Sequence, residues 1–362
     1  MRIVYVHSQG LPPAGGDGVH VWAVASRLAE RGHAVLLRGA AVPPGTERMP
    51  PGRLPLLRAI RSADAVLVRI DGRFGNERLT AGALAARPRP AVVWEVNSSL
   101  EEEALHGVAP REVARHRRLR RLLAGQADAA LVVSPELLPY ARDQLGLADV
   151  AVVENGADWP WPAAEPSALR RAGDFRAVWM GSGHNPWQAL DVVGAAARLL
   201  ESGDPGVVVA VAGSGIAGGL PRPWPGNLLH LGAASRDDVA AHLAAADCAL
   251  VLYHDTPWAP GGFTMSPIKL FEAWSAGLPV VATALGSLRR LVRDGETGLL
   301  VDDDPAAVAA AVSRLHGDPG LRSRLAEAGR AAVRDRYNWR RAGDEVADLL
   351  ERVVAARRSG RR

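Results

Sequence analysis

The stretch GGFTMSPIKLFEAWSAGLPVVAT, residues 261–283, sets a lysine and a glutamate three positions apart on a segment with the start and stop marks of a helix. Ser266 offers a hydroxyl as N-cap, Pro267 suits the first helical position, and Gly277 suits the stop. On such a helix Leu270, Phe271 and Trp274 fall on one side while Lys269 and Glu272 share the other. A cation in the first turn opposes the helix dipole unless an anion sits beside it. A phosphate meets that condition. The exposed N–H groups of the first turn, Gly261 and Gly262, and the ammonium together make an anion site, and a carboxylate one turn further can accept two hydrogen bonds from a ribose diol. This is the chemistry of a nucleoside diphosphate. The plainer reading is a surface i,i+3 pair worth about 0.2–0.5 kcal/mol. Composition weighs against it: Lys269 is the one lysine of the chain, and the other 42 of its 43 basic residues are arginine. A compact ammonium and a planar guanidinium are not interchangeable at a crowded site.

Other chemistry-bearing residues are more dispersed. Gly15 and Gly16, in the loop PPAGGDG after the first apolar run, let the backbone approach a ligand closely, as the opposite wall of a diphosphate site would. Glu95 ends the apolar run AVVWEVN, at the carboxyl end of a strand where open α/β sheets place their ligands, and it could meet an acceptor hydroxyl as a base or hydrogen-bond partner. Arg69 and Asp71 in VRIDGRF raise the same question, and His20 either faces such a site or simply begins a helix. The run REVARHRRLRR, 111–121, could attract an anionic acceptor or a lipid surface, though a solvated helix face is the stronger reading in so arginine-rich a chain. No spacing of His, Asp and Glu suggests a metal site. One cysteine, Cys248 in AADCALVLY, excludes an internal disulfide and reads as a small buried strand residue.

The elements that must hold these residues alternate. RIVYVH, the helix VHVWAVASRLAERG closed by Gly32, and AVLLRGA form a βα unit and a strand, followed by the apolar runs 64–70, 91–97 and 129–134. Such runs imply a parallel sheet buried on both faces. The Pro- and Trp-rich segment after VVENGAD breaks the alternation and marks a linker near residue 160, with Trp159 and Trp161 as hinge packing. A second series starts at 175–181, continues with a helix from about Gln188, and runs through 207–213, 227–232, 248–254, 278–283 and 298–301. The expected organisation is a first Rossmann-like domain at 1–160, a second at 161–338, and a closing helix at 339–362 that packs back on the first. At 362 residues the chain exceeds one ordinary α/β core. No window reaches the roughly 18 apolar residues of a membrane span and no signal peptide is visible, which points to a cytoplasmic protein. The net charge of +4 is scattered along the chain, so a nucleic-acid partner carries little weight.

These motifs, in this order, resemble the family 4 glycosyltransferases of the GT-B fold over essentially the whole chain: PPAGGDG, RLAERGHAV, VVENGAD, MGSGHNPW, VAGSG, SPIKLFEAWSAGLPVVAT and GETGLLVDDDP. The resemblance implies an α/β protein of two Rossmann-like domains facing each other across a cleft, and transfer of a sugar from a nucleotide-sugar with retention, without metal or cofactor. It implies that Glu272 holds the ribose and Lys269 faces the diphosphate. Ser182 of MGSGHNPW and the backbone near Gly262, Phe263 and Thr264 would then belong to the donor site. The chain departs from the family pattern twice. Thr264 stands where a first glutamate is common, and Trp187 and Gln188 stand where a lysine usually lies near the diphosphate. At the position of Glu95 the family commonly has a histidine. The acceptor side implies a glycan, lipid-linked or small-molecule partner, with a peripheral membrane contact as a further option. Two alternatives stand beside this reading: a GT-B protein that binds a nucleotide-sugar without turnover, and a nucleotide-sugar epimerase.

Overall fold

A computed structural model describes residues 1–8, 10–11, 16–86, 88–105, 107–165, 167–220, 222–255 and 262–360. The chain divides into two compact units. The first comprises Met1–Asn155, Pro257–Ser266 and Trp339–Arg362; the second comprises Gly156–Thr256 and Pro267–Asn338.

The first unit is built on seven strands, β1 (Arg2–Val6), β2 (Ala34–Leu37), β3 (Glu47–Arg48), β4 (Ala65–Ile70), β5 (Ala91–Val96), β6 (Ala129–Val132) and β7 (Val150–Val152). They pair in the order β3-β2-β1-β4-β5-β6-β7, every pair parallel. All six residues of β4 and of β5 are buried, the unbroken pattern of central strands covered on both faces. The order reverses between β1 and β4, which places the ligand crevice of such a sheet at their carboxyl ends. The closing helix Trp339–Ser359 buries Trp339, Ala342, Gly343, Val346, Ala347, Leu350 and Val354. Its polar side is fastened to the helix Gly16–Glu30, where Asp344 accepts from Arg27 Nε at 2.9 Å and Arg31 at 3.1 Å. Further on, Arg352 reaches Asp149 at 2.7 Å and Arg358 reaches Asp64 at 2.6 Å, both acids standing just ahead of strands.

The run 111–121 lies in the helix Pro110–Ala124. Most of its arginines are exposed, but Arg120 is fully buried, its Nε 2.5 Å from Glu77 Oε1 and its other nitrogens on Tyr140 and the carbonyls of Asp71 and Arg73. One residue of an apparently solvated run is therefore a core group, and it pins the loop after β4.

The second unit carries β8 (Phe175–Met180), β9 (Val207–Ala212), β10 (Leu228–Gly232), β11 (Cys248–Val251), β12 (Val280–Thr283) and β13 (Leu299–Val301), in the all-parallel order β10-β9-β8-β11-β12-β13. Cys248 is buried in β11. Two expectations shift. The helix expected from about Gln188 begins at Leu190, and Pro186–Gln188 form a tight 3-10 turn joined to it through Ala189 in the left-handed region, φ 42°. The helix expected to be capped by Ser266 begins at Ile268, because the Ser266 hydroxyl instead accepts from the Asn155 N–H at 3.0 Å. Gly277 closes that helix at φ 80°, as its position suggested.

Gly156 lies against the backbone of Asn338, beside the parallel bridge between Ala157 and Asn338, and a Cβ there would stand 2.6–2.7 Å from main-chain atoms. Backbone cannot swing aside as a side chain can. Gly156→Ala should lower stability by about 1–3 kcal/mol, while Gly203→Ala, at an open helix end, should leave it unchanged or raise it. Urea unfolding of the two variants checks this, and equal midpoints would contradict the packing described.

Candidate functional site

In the second unit the helix Ile268–Ala276 is fixed by its apolar side. Leu270, Phe271, Ala273 and Trp274 are wholly buried, Phe271 stacks on Tyr337 at 4.8 Å, and Trp274 Nε1 donates to the Thr297 carbonyl at 2.8 Å. The other side presents Lys269 and Glu272, but each has found a partner far away in sequence. The Lys269 ammonium lies 5.0 Å from the ring centre of Trp179 and 4.7 Å from that of Tyr253, and donates to Gln188 Oε1 at 3.0 Å. Trp179 is in β8 and Tyr253 follows β11, the two strands between which the order reverses. The lone lysine thus sits at the crevice that topology reserves for ligands. Burial pushes its pKa down to about 7, against the pull of the Glu272 charge.

Glu272 is buried, and its Oε1 is paired with Arg236, whose second nitrogen reaches Asp158 at 3.0 Å and whose guanidinium lies over the Trp161 ring at 5.2 Å. Burial raises the Glu272 pKa, with Arg236 opposing. Among the described residues no hydrogen bond is recorded to Glu272 Oε2, which leaves that oxygen for a ligand donor. Ser182 belongs to a pair of interlocked glycine loops, GSG at 181–183 and GSG at 213–215. The Gly183 N–H donates to the Ser214 carbonyl at 2.8 Å, and a Cβ on Gly183 would stand 2.5 Å from the Gly215 carbonyl. The Ser182 N–H donates to Gln188 Oε1 at 3.1 Å. His254, next to Tyr253, takes Asp191 and Asp303 at 2.8 Å each and donates its backbone N–H to the Trp187 carbonyl at 3.0 Å, which secures the loop carrying Gln188. Burial alone lowers the His254 pKa, but its hydrogen bonds to Asp303 and Asp191 raise it overall.

In the first unit Glu95 is completely enclosed. Its Oε2 accepts from the Tyr5 hydroxyl at 2.6 Å, while Oε1 pairs with Arg69 and lies 2.9 Å from His20 Nε2; His20 Nδ1 in turn lies 2.6 Å from Asn155 Oδ1. Arg69 Nε continues to Asp71 at 3.0 Å. Burial by itself raises the Glu95 acid, yet His20, Arg69 and the Tyr5 hydrogen bond outweigh it and hold the pKa at about 2. Both carboxylate oxygens are thus engaged within the protein, and the expectation that Glu95 meets an acceptor hydroxyl as a base or hydrogen-bond partner stands against this network. The carboxylate ties Tyr5, Arg69 and His20 into one buried network. Gly262, Phe263 and Thr264 group with the first unit, whereas the expected boundaries placed them in the segment 161–338. Gly262 has φ 77°, Phe263 is buried, and the Thr264 carbonyl accepts from the Ser134 hydroxyl. Gly16 opens the first helix. Gly15 and Gly261 lie outside the described residues. Among the described residues no group of three or more His, Cys, Asp or Glu is arranged to hold a metal ion, and no helix is long and apolar enough to cross a membrane.

Two family descriptions match in succession, Glycosyltransferase Family 4 over residues 14–159 and Glycosyl transferases group 1 over residues 174–318. A D-inositol 3-phosphate glycosyltransferase of Thermomonospora curvata is 33% identical over 263 residues, 66% of this chain and 55% of that protein. The chain belongs to glycosyltransferase family 4. Sucrose-phosphate synthase from Thermosynechococcus elongatus matches with a TM-score of 0.72 at 19% identity, covering 98% of this chain and 99% of that one. The Anabaena protein HepE, solved in complex with UDP-glucose, matches with a TM-score of 0.69 at 19% identity, covering 96% and 99%. At such identity the likeness speaks for the fold, and the fold of this family 4 member is GT-B. The chain spans about half or less of the length of the first curated relatives it matches, 38%, 55% and 40%.

Several groups of the family 4 chain's site escaped sequence reasoning: Trp179, Tyr253, Arg236, Asp158, His254 and Tyr5. The usable signal was position, since Trp179, Tyr253 and Tyr5 all stand near the carboxyl ends of strands bordering the reversals in strand order. The Glu95 network has a measurable signature. With a folded pKa of about 2 against about 4.3 unfolded, the carboxylate contributes stability above the unfolded value that is lost as pH falls through 4 toward 2. Glu95→Ala, which takes one of the carboxylates away from the buried Arg69, should cost about 3 kcal/mol at pH 7, the deficit narrowing toward pH 3. Urea titrations across that range test it, and a pH-independent deficit would contradict an ionised Glu95.

Proposed function

We propose that this protein transfers a sugar from a nucleotide-sugar to an acceptor with retention of configuration, in the cytoplasm and without a metal, and that the second unit holds the nucleotide diphosphate. The observation that carries this reading is the Lys269 ammonium at the β8/β11 reversal, flanked by aromatic faces and a glycine loop, with the Glu272 carboxylate one turn further along the same helix. Family membership supports it, as does the Anabaena structural relative solved with UDP-glucose. Lys269 and the N–H groups at the start of its helix stabilise the charge that develops on the leaving diphosphate, and Glu272 Oε2 takes a ribose hydroxyl. The acceptor is a glycan, a lipid-linked sugar or a small molecule, met by the first unit. Glu95 contributes by fixing Arg69 and His20. Binding without turnover is the second reading, favoured by the neutral Gln188 beside Lys269, where a second cation would help the leaving group.

Binding of UDP-, GDP-, ADP- and dTDP-sugars to the full chain, by thermal shift and calorimetry without metal, tests the donor site. A ligand at a hundred times its Kd adds about 2.7 kcal/mol of stability. Glu272→Ala should remove donor binding while leaving the fold intact, and Lys269→Met should weaken diphosphates far more than nucleosides. Because Lys269 loses its proton near pH 7 in the free protein, nucleotide-sugar affinity should fall as pH rises from 6 to 9, by up to about tenfold per unit. A flat profile, or equal weakening of nucleosides by Lys269→Met, would refute the phosphate role. A new glycoside among the products distinguishes transfer from binding alone.

A further inference from the structure

The partner that Lys269 has chosen carries a consequence for the diphosphate site, one that rests on the donor-site reading above. Gln188 Oε1 accepts from the Lys269 ammonium at 3.0 Å and from the Ser182 N–H at 3.1 Å. Both neighbours are donors, so chemistry requires the amide oxygen, not its nitrogen, to face them. The oxygen also lies where a Cβ on Gly181 would sit, so the carboxamide rests directly on the glycine-loop backbone. A lysine ammonium and a loop N–H converging on one oxygen is the arrangement a phosphate oxygen takes in an anion site. We propose that Gln188 is an internal competitor for the diphosphate: its amide oxygen holds a phosphate-oxygen position, and its side chain must leave when the ligand enters.

The energetics favour exchange. A neutral amide oxygen is a weaker partner for an ammonium than a charged phosphate oxygen, whose hydrogen bonds are roughly twice as strong. The other neighbours of Lys269 are aromatic faces, which attract the charge but cannot accept its protons in line. Gln188 is itself only partly buried, at the end of the 3-10 turn Pro186–Gln188, so side-chain rotation alone is enough to clear the position. Occupation by Gln188 lowers apparent affinity by the fraction of molecules in which the site is closed. Removing the competitor therefore strengthens binding, whereas removing a residue that grips the ligand weakens it.

The test is calorimetry on the full chain at pH 6.5, with inorganic pyrophosphate and the UDP-, GDP-, ADP- and dTDP-sugars as probes, for wild type, Gln188→Ala, Gln188→Asn, Gln188→Glu and Lys269→Met. Gln188→Ala should bind about fivefold more tightly than wild type. Gln188→Asn, whose shorter side chain falls back from Lys269, should move the same way and serves if the alanine variant folds poorly. Gln188→Glu, which tethers an anion to the ammonium, should lose most of the affinity while melting no lower than wild type. If wild type binds and Lys269→Met does not, yet both shortened variants bind equally to or more weakly than wild type, Gln188 is no competitor while the donor site stands. If neither wild type nor either shortened variant binds any probe, the donor-site reading falls together with this one. Binding by the shortened variants alone would support the proposal outright.

Discussion

In an all-parallel sheet, the point at which the strand order reverses is where neighbouring crossovers leave toward opposite faces and the carboxyl edge stays open between them. That constraint governs both units. In the first, the reversal lies between β1 and β4, and the penultimate residues of β1, β4 and β5 are Tyr5, Arg69 and Glu95. In the second it lies between β8 and β11, beside Trp179, Tyr253 and, from the following helix, Lys269. The central strands otherwise bury mostly apolar side chains, and these polar groups gather where the winding changes direction.

The two crevices are furnished in opposite ways. In the first, each charge is matched: Glu95 takes Tyr5, Arg69 and His20, Arg69 also takes Asp71, and Glu77 takes Arg120 beneath the neighbouring loop. Such a network is costly to break and leaves little free capacity, so it gives the carboxyl edge a rigid floor. In the second, the ammonium is met by a neutral oxygen and by aromatic faces, and its pKa falls to about 7. On the proposed reading, this half-buried ammonium, with no carboxylate in hydrogen-bond contact among the described residues, is where the diphosphate binds.

Sequence alone could read what is local. The alternation of apolar runs, the stop at Gly277 and the shared face of Lys269 and Glu272 follow from rules that act over three to six residues, and the sole lysine was visible from composition. The partners were not visible, because they come from distant strands and helices. Lys269 pairs with Gln188, 81 positions away, and Glu272 with Arg236, 36 away, while Glu95 draws on Tyr5, 90 positions earlier. Arg120 shows the same limit in reverse: inside a run of exposed arginines nothing distinguishes the one whose helical phase turns it inward onto Glu77. The contacts of segment 262–266 were hidden for a related reason, since proximity in sequence to Lys269 said nothing of the hydrogen bonds from Ser134 to the Thr264 carbonyl and from Asn155 to Ser266.

The choice of lysine at position 269 follows from the same physics. A guanidinium stays protonated at any working pH and must be given a carboxylate when buried, as Arg69 has Glu95 and Arg120 has Glu77. An arginine at 269 would demand a permanent anion among its protein neighbours, and that anion would repel a diphosphate. A lysine can sit against Trp179, Tyr253 and an amide oxygen because it can surrender its proton in the free protein, and on the proposed reading it keeps that proton when a phosphate binds. In a chain that otherwise uses arginine throughout, the lone lysine stands where the second sheet reverses its order, and on the proposed reading the ligand adds its charge there to that of Glu272.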